Sequence, residues 1–158
     1  MNALDHDLLT AARTGDTDRV RTAIEGRARV DVRDEELRTP LLLAAMLHVL
    51  LPAGPDLTLC NRFGGVSLIP ASERGHVAYV REVLRVTDID VDHVNRLGWT
   101  ALLEAVILGE GGLAHRQVVE LLLAAGASPD LPDGDGVTPL AHAERRGFAE
   151  LAAQLRAA

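Results

Sequence analysis

Cysteine, lysine and aromatic residues are scarce or absent in this sequence, and each absence closes off a class of protein. Cys60 is the single cysteine, so no disulfide can form within the chain. A lone thiol of this kind reads as a small apolar packing residue rather than a nucleophile. Aromatic side chains make up 3% of the residues, too few to stack the bases of a single strand. Lysine is missing altogether, so all 16 basic residues are arginines, and 23 acids bring the net charge to −7. That balance argues against nucleic acid or an anionic membrane as a partner, because a polyanion is repelled overall. Together with the abundance of Ala, Leu, Gly and Asp, it points to a GC-rich, bacterial coding source.

Long hydrophobic runs are also missing. The longest, Leu41 to Leu51, is broken by His48 and is about half the roughly 20 residues a membrane span needs. It therefore reads as a core helix, although no charge falls between Arg38 and Asp56. The opening "MNALDHDLLTAARTGD" has no basic segment ahead of an apolar one, so no secretory signal is present and a cytoplasmic protein is expected. None of Gly-x-Ser-x-Gly, His-Glu-x-x-His or Cys-x-x-Cys occurs, and the six histidines are scattered, so the expectation is no enzyme, no cofactor and no metal.

What is present is repetition. The stretches "LRTPLLLAA" (37–45), "GGVSLIPAS" (64–72), "GWTALLEAV" (98–106) and "GVTPLAHAE" (136–144) align, and "LLTAARTGDTDRV" at the N-terminus fits the same frame. After these come apolar doublets, as in "GHVAYVREVL" (75–84) and "RQVVELLLAAGASPD" (116–130). Threonine ahead of the apolar residues can cap a helix, and proline suits the first helical turn. Leucine and paired alanines at helical spacing make a low-bulk stripe against which a second helix can pack. Gly75, Gly109 and Gly147 are expected to end the first helices in a left-handed cap. Gly126, Pro129, Asp130, Gly134 and Gly136 mark a hairpin-like loop. Each unit is too small to bury its own face and needs neighbours.

These residues resemble the ankyrin-repeat family, whose units open near Thr-Pro-Leu, turn at Gly-His and close near Leu-Leu and Gly-Ala. Thr39-Pro40-Leu41 and Thr138-Pro139-Leu140 match the opening, Gly75-His76 the turn, and "LLLAAGASPD" (121–130) the close. The resemblance implies an all-α solenoid of about five helix-turn-helix units joined by hairpin-like loops. One domain over 1–158 is expected, with units near 4–36, 37–63, 64–97, 98–135 and 136–158. The end units suit terminal caps, so a chain complete in itself is expected.

The threonine-equivalent positions His6, Thr39, Val66, Thr100 and Thr138 are separated by 33, 27, 34 and 38 residues, against about 33 for the family. The second unit is therefore short by about six residues. It keeps its opening and close but lacks the Gly-His turn, so Pro40 to Leu51 should form one merged helix or a helix with a cramped stub. The fourth is long, with its surplus in "LGEGGLAHRQ" (108–117), where clustered glycines suggest a flexible surface loop. His76 is expected to hydrogen-bond in its turn. Glu104 sits where an apolar residue is usual and, if buried, needs a donor, so a hydrogen-bonded bridge is expected there. "DIDVDH" (88–93) and "DGDGV" (133–137) fail the EF-hand pattern and read as hairpin loops.

The resemblance further implies a protein-interaction module, expected to be monomeric. It would hold an unidentified protein partner on its hairpin tips and concave first-helix face. Carried onto this sequence, the tip candidates are Glu35, Glu36, Arg38, Arg62, Phe63, Arg96, Leu97 and Trp99, with Asp135 and Val137. The helix candidates are Arg74, Arg145 and Arg146, with Arg13, Glu73 and Leu108. Phe63 and Trp99 stand out because aromatic and Arg side chains dominate interface energies; packing on a neighbouring loop is the other role open to Trp99. Two further readings stand beside this one: an enzyme or metal-dependent protein using the clustered acids, and a degenerate structural member with weakened binding.

Overall fold

The computed structural model describes residues 1–43 and 47–158. Among them all regular structure is helical and there is no strand, so the all-α expectation holds. The chain divides into two compact units, Met1–Arg62 and Phe63–Ala158.

The first unit contains α1 (Ala3–Thr14), α2 (Thr17–Glu25), α3 (Pro40–Leu43) and α4 (Leu47–Leu50), with a 3-10 turn at Leu51–Ala53. Side chains fix the helix starts. Asn2 and Asp5 form a reciprocal capping box, Asp16 accepts from the Arg19 amide at 3.1 Å, and Thr39 Oγ1 accepts from the Leu42 amide at 3.3 Å with Pro40 just inside. Each such cap contributes about 1 kcal/mol. Helix α1 packs on α2 and α3, and α2 on α4, burying Leu8, Leu9, Val20, Leu41, Leu47 and Leu50. Asp5 is itself buried and accepts from the Arg29 amide and guanidinium. Led by the amide, those bonds hold its carboxyl below the usual carboxylate range.

The shortened repeat lies in this unit. Helix α4 and the 3-10 turn together span only Leu47–Ala53, where α2 runs from Thr17 to Glu25. The described part of the outer helix is thus shorter than α2, in line with the shortened repeat that the spacing predicts. Whether it merges with α3 depends on residues 44–46, which lie outside the described residues.

The second unit contains α5 (Leu68–Glu73), α6 (Val77–Val86), α7 (Ala101–Ile107), α8 (Leu113–Ala124), α9 (Pro139–Arg145) and α10 (Ala149–Arg156). Helices α5, α7 and α9 pack side by side as an inner row, and α6, α8 and α10 as an outer row. Thr100 and Thr138 cap α7 and α9. Val66 stands in the equivalent place and offers no oxygen, and α5 starts two residues later without a side-chain cap. Leu68, Val80, Leu102, Leu103, Val118, Leu122 and Leu151 are fully buried, at about 1.5–3 kcal/mol each. Ala71, Ala105 and Ala143, also buried, leave room for the outer row to approach.

Three details of this unit differ from the sequence expectation. Gly75 and Gly147 take the left-handed conformation, but Gly109 does not, and Gly111 does so instead. Gly109 is needed for space: a Cβ there would collide with the Ala105 carbonyl oxygen and the His115 ring. The long 108–117 segment is also pinned rather than loose. His115 is buried; its Nδ1 accepts from the Glu110 amide at 3.3 Å, and its Nε2 donates to the Glu73 carbonyl at 2.9 Å. His76 is exposed at the start of α6 and makes no capping bond. The turn-bridging histidine is therefore His115, one repeat further on.

Candidate functional site

Three hairpin tips are built alike, and the device that builds them sits five residues before Thr39, Thr100 and Thr138. In the first unit the Asp34 amide donates to the Arg38 carbonyl and its carbonyl accepts from the Leu37 amide, both at 3.0 Å. Its side-chain Oδ1 accepts from the Glu36 and Arg38 amides, both at 2.9 Å. In the second unit Asn95 makes the same backbone bonds to Trp99 and Gly98, with Oδ1 accepting from the Leu97 and Trp99 amides at 2.9 and 3.0 Å. Asp133 does so again with Val137 and Gly136, and its Oδ1 accepts from the Asp135 and Val137 amides at 3.0 and 2.9 Å. An Asp or Asn side chain satisfying its own turn is the ordinary chemistry of such loops.

The turn needs a left-handed residue before its last position. Gly98 (φ +78°) and Gly136 (φ +77°) supply it, and at the first tip Leu37 does (φ +60°). Gly98 has a second reason to lack a side chain, because a Cβ there would lie 3.0 Å from the Gly134 amide nitrogen.

The remaining oxygen or nitrogen of the Asp/Asn ties the tip to the inner helix nine residues on, by different chemistry each time. Asn95 Nδ2 donates to Glu104 Oε1 at 2.8 Å. His142 Nε2 donates to Asp133 Oδ2 at 2.7 Å. At the first tip the equivalent residue, Leu43, cannot bond, and Asp34 Oδ2 accepts from Arg38 Nε at 2.9 Å and from Arg13 at 3.3 Å instead. Burial would raise the Asp34 carboxyl, but the Arg38 amide and guanidinium outweigh it and the net direction is down. The Val137 amide and His142 likewise hold Asp133 low. Glu104 is the exception: burial, reinforced by the charge of Glu73 and opposed by Asn95, pushes its carboxyl up to about 7. The bridge expected at Glu104 is thus present, joining tip to inner helix.

Neighbouring tips are also joined within each unit. Glu36 O accepts from the Arg62 amide at 3.1 Å in the first, and Phe63 O from the Arg96 amide at 2.9 Å in the second. His93 Nε2 donates to the Gly64 carbonyl at 2.7 Å. Asp92 accepts from the Ser128 amide at 3.0 Å. The carboxylates of Asp92 and Asp133, in the stretches that superficially suggest calcium ligation, are thus committed to backbone amides.

The sequence candidates fall into two groups. Glu36 and Arg38 pair with each other at 2.8 Å, and Arg62 stands 3.7 Å from Glu36. With Glu35, Arg13 and Asp34, the Glu36–Arg38 pair borders a cleft of about 360 Å³ against α1. Arg146 donates to the Val106 carbonyl at 3.1 Å and also to the Ile107 carbonyl, at the end of α7, and lies over the Phe148 ring at 4.5 Å. These side chains do structural work. In the second group Phe63, Leu97 and Leu108 are 49%, 53% and 47% exposed, and Arg74, Arg96 and Arg145 are exposed. Trp99 is half-buried, with its backbone held by Asn95. Asn95, Asp133 and His115, which organise the site, do not stand out in the sequence. The available signal is a polar pair nine residues apart across two of the opening motifs, Asn95 with Glu104 and Asp133 with His142.

Known proteins match this arrangement. A family model described as ankyrin repeats, in three copies, matches residues 46–133. YahD of Escherichia coli (strain K12), an ankyrin repeat protein by name, is 44% identical over 145 residues, covering 88% of this chain and 72% of that one. Ankyrin repeat and KH domain-containing protein mask-1 of Caenorhabditis elegans is 30% identical over 152 residues, but this chain spans only 6% of its length. A crystal structure of an ankyrin repeat domain from Acinetobacter baumannii AYE superposes with a TM-score of 0.89 at 45% identity, covering 95% of this chain and 79% of that one. Among the described residues no helix is long and apolar enough to cross a membrane.

Proposed function

The chain belongs to the ankyrin-repeat family, and we propose that it is a protein-interaction module that holds one protein partner on its hairpin tips and first-helix faces. Ankyrin repeats are generally modules of this kind. The observation that carries the reading is the pairing of rigid tips with exposed apolar side chains. Asp34, Asn95 and Asp133 satisfy the turn amides from within, so the backbone is held without help from the outward side chains. Leu97, on the Asn95 tip, nevertheless points about half its surface at solvent, and so does Phe63, whose carbonyl accepts from the Arg96 amide. Rigid presentation of apolar groups lowers the ordering cost of binding, and such groups supply interface anchors. The five units over 1–158, action as a monomer in a bacterial cytoplasm, and the absence of a catalytic role belong to this reading. The acid-cluster alternative is disfavoured because Asp34, Asp92 and Asp133 already serve backbone amides.

Affinity capture from the source cell, quantified by mass spectrometry, tests it. The wild-type chain should enrich a defined protein, and Phe63→Ala with Leu97→Ala should reduce that enrichment about tenfold or more. Trp99→Ala reports whether the half-buried indole contributes. If wild type and the double variant retrieve the same proteins equally, the tips are not the binding surface.

A further inference from the structure

The enclosed carboxyls of the protein are not equally provided for. Asp5 is met by the Arg29 amide and guanidinium. Asp34 is met by two amides and the Arg38 guanidinium, and Asp133 by two amides and His142. Glu104 is 7% exposed, and among the described residues its one bond comes from the neutral side-chain amide of Asn95, at 2.8 Å.

The surroundings offer it no cation. Helix α7 packs against α5, α8 and α9. From α5, Glu73 acts on Glu104 as a like charge, and Arg74 at the helix end is exposed. On α8, His115 is committed to the Glu73 carbonyl and the Glu110 amide, Arg116 to Glu150, and Glu120 is exposed. On α9, His142 is committed to Asp133 and Glu144 to Arg156. Arg146 serves the carbonyls ending α7, and Arg145, like Arg96 on the tip, is exposed. An ionised Glu104 would thus keep one neutral donor and face one carboxylate, terms on which a buried charge is costly. Asn95, at the other end of the bond, is the residue that builds the tip: its Oδ1 accepts from the Leu97 and Trp99 amides.

We infer that the Asn95–Glu104 bond is a proton-operated latch on the 95–99 tip. Protonated, Glu104 stays enclosed and holds Asn95 against α7. Ionised, it gives its proton to water and turns its carboxylate outward. The Asn95 side chain then loses the anchor that fixes its plane, and both turn bonds loosen with it. Leu97 is presented on a looser loop, so a partner that it helps to hold binds less tightly as pH rises through neutrality. The Asp133–His142 tie, nine residues apart in the same way, joins an acceptor to a donor and has no such fault. With the enclosed carboxyl titrating at about 7 and the outward one at the ordinary 4.5, release is favoured about tenfold more at pH 8 than at pH 6.

The test is amide exchange of the ¹⁵N-labelled full chain at pH 6 and pH 8, with rates corrected for intrinsic base catalysis. Protection of the Asn95 side-chain amide and of the Leu97 and Trp99 backbone amides should fall about tenfold. The Glu36 and Arg38 amides report on a tip whose Asp34 carboxyl stays low, and their protection should hold. Glu104→Gln keeps the acceptor without the charge and should abolish the fall. Glu73→Gln should keep the fall but move its midpoint to lower pH, and circular dichroism checks that both variants fold. Should Glu104→Gln not fold, the midpoint in Glu73→Gln decides. Constant protection in the wild type, the same fall in Glu104→Gln, an equal fall at Glu36 and Arg38, or a midpoint unmoved by Glu73→Gln would each overturn the latch. Its effect on binding rests on the interaction-module reading; exchange needs no partner, so failure of the latch leaves capture through Phe63 and Leu97 standing.

Discussion

Replacing Glu104 by glutamine should make the protein more stable at alkaline pH and leave it nearly unchanged at acid pH. In the folded chain burial and Glu73 raise this carboxyl from 4.5 to about 7, so over that interval the unfolded chain has lost a proton that the folded chain keeps. Stability therefore falls as pH rises from about 4.5 to about 7, then levels off. At about 1.36 kcal/mol per pH unit the full linkage is about 3 kcal/mol, and solvent screening at the rim of the site brings the expected difference to about 1–2 kcal/mol. Glutamine keeps the oxygen that accepts from Asn95 Nδ2 and carries no charge at any pH. Urea unfolding followed by fluorescence of the single Trp99, which lies in the same unit, measures both proteins at intervals from pH 4 to 8. A gap between Glu104→Gln and wild type that stays constant across the range, or that favours wild type at pH 8, would refute the reasoning.

Leu37→Gly should stabilise the first unit by about 0.5–1 kcal/mol in urea melts, because the relief of a left-handed leucine exceeds the added freedom of the unfolded chain. Gly109→Ala should destabilise by about 2–3 kcal/mol through collision with Ala105 and His115. Gly112→Ala, with nothing within 4 Å of the new methyl, should lower stability by less than about 1 kcal/mol, and similar losses for the two would contradict the packing account. His115→Ala should cost about 2–4 kcal/mol by leaving the Glu73 carbonyl and the Glu110 amide unanswered, with faster amide exchange over 109–116 as the local sign. Exchange should also be faster in the truncated α4 than in α8, and uniformly slow exchange across both would count against a weakened second repeat.

Much of the fold was legible because its punctuation is local chemistry. Thr39, Thr100 and Thr138 announce their caps, proline stands where a helix can begin, and the Leu and Ala stripes show which face is buried. The short second repeat was legible as arithmetic between the threonine-equivalent positions Thr39 and Val66. What escaped depends on contacts between residues far apart in the chain. His115 reaches back 42 positions to Glu73, so a glycine-rich stretch that reads as slack is held fast. Gly109 looks like the capping glycines of its neighbours, yet it is required by a ring that arrives six residues later. Among the site candidates, sequence position could not distinguish Arg146, which serves a helix end, from Arg145, which faces solvent. Glu104 was identifiable as out of place, but its donor nine residues earlier was not.

That nine-residue tie limits how freely these repeats could be recombined. Asn95 with Glu104 and Asp133 with His142 make one join from opposite chemistries, in which donor and acceptor have changed sides. A chimera that carried the start of α7 into the place of α9 would preserve every cap and apolar position of the family pattern. It would also set a glutamate against Asp133, two carboxylates where a hydrogen bond had been. The cassette that can be exchanged intact is therefore longer than the repeat's visible signature and begins at the Asp or Asn that precedes it.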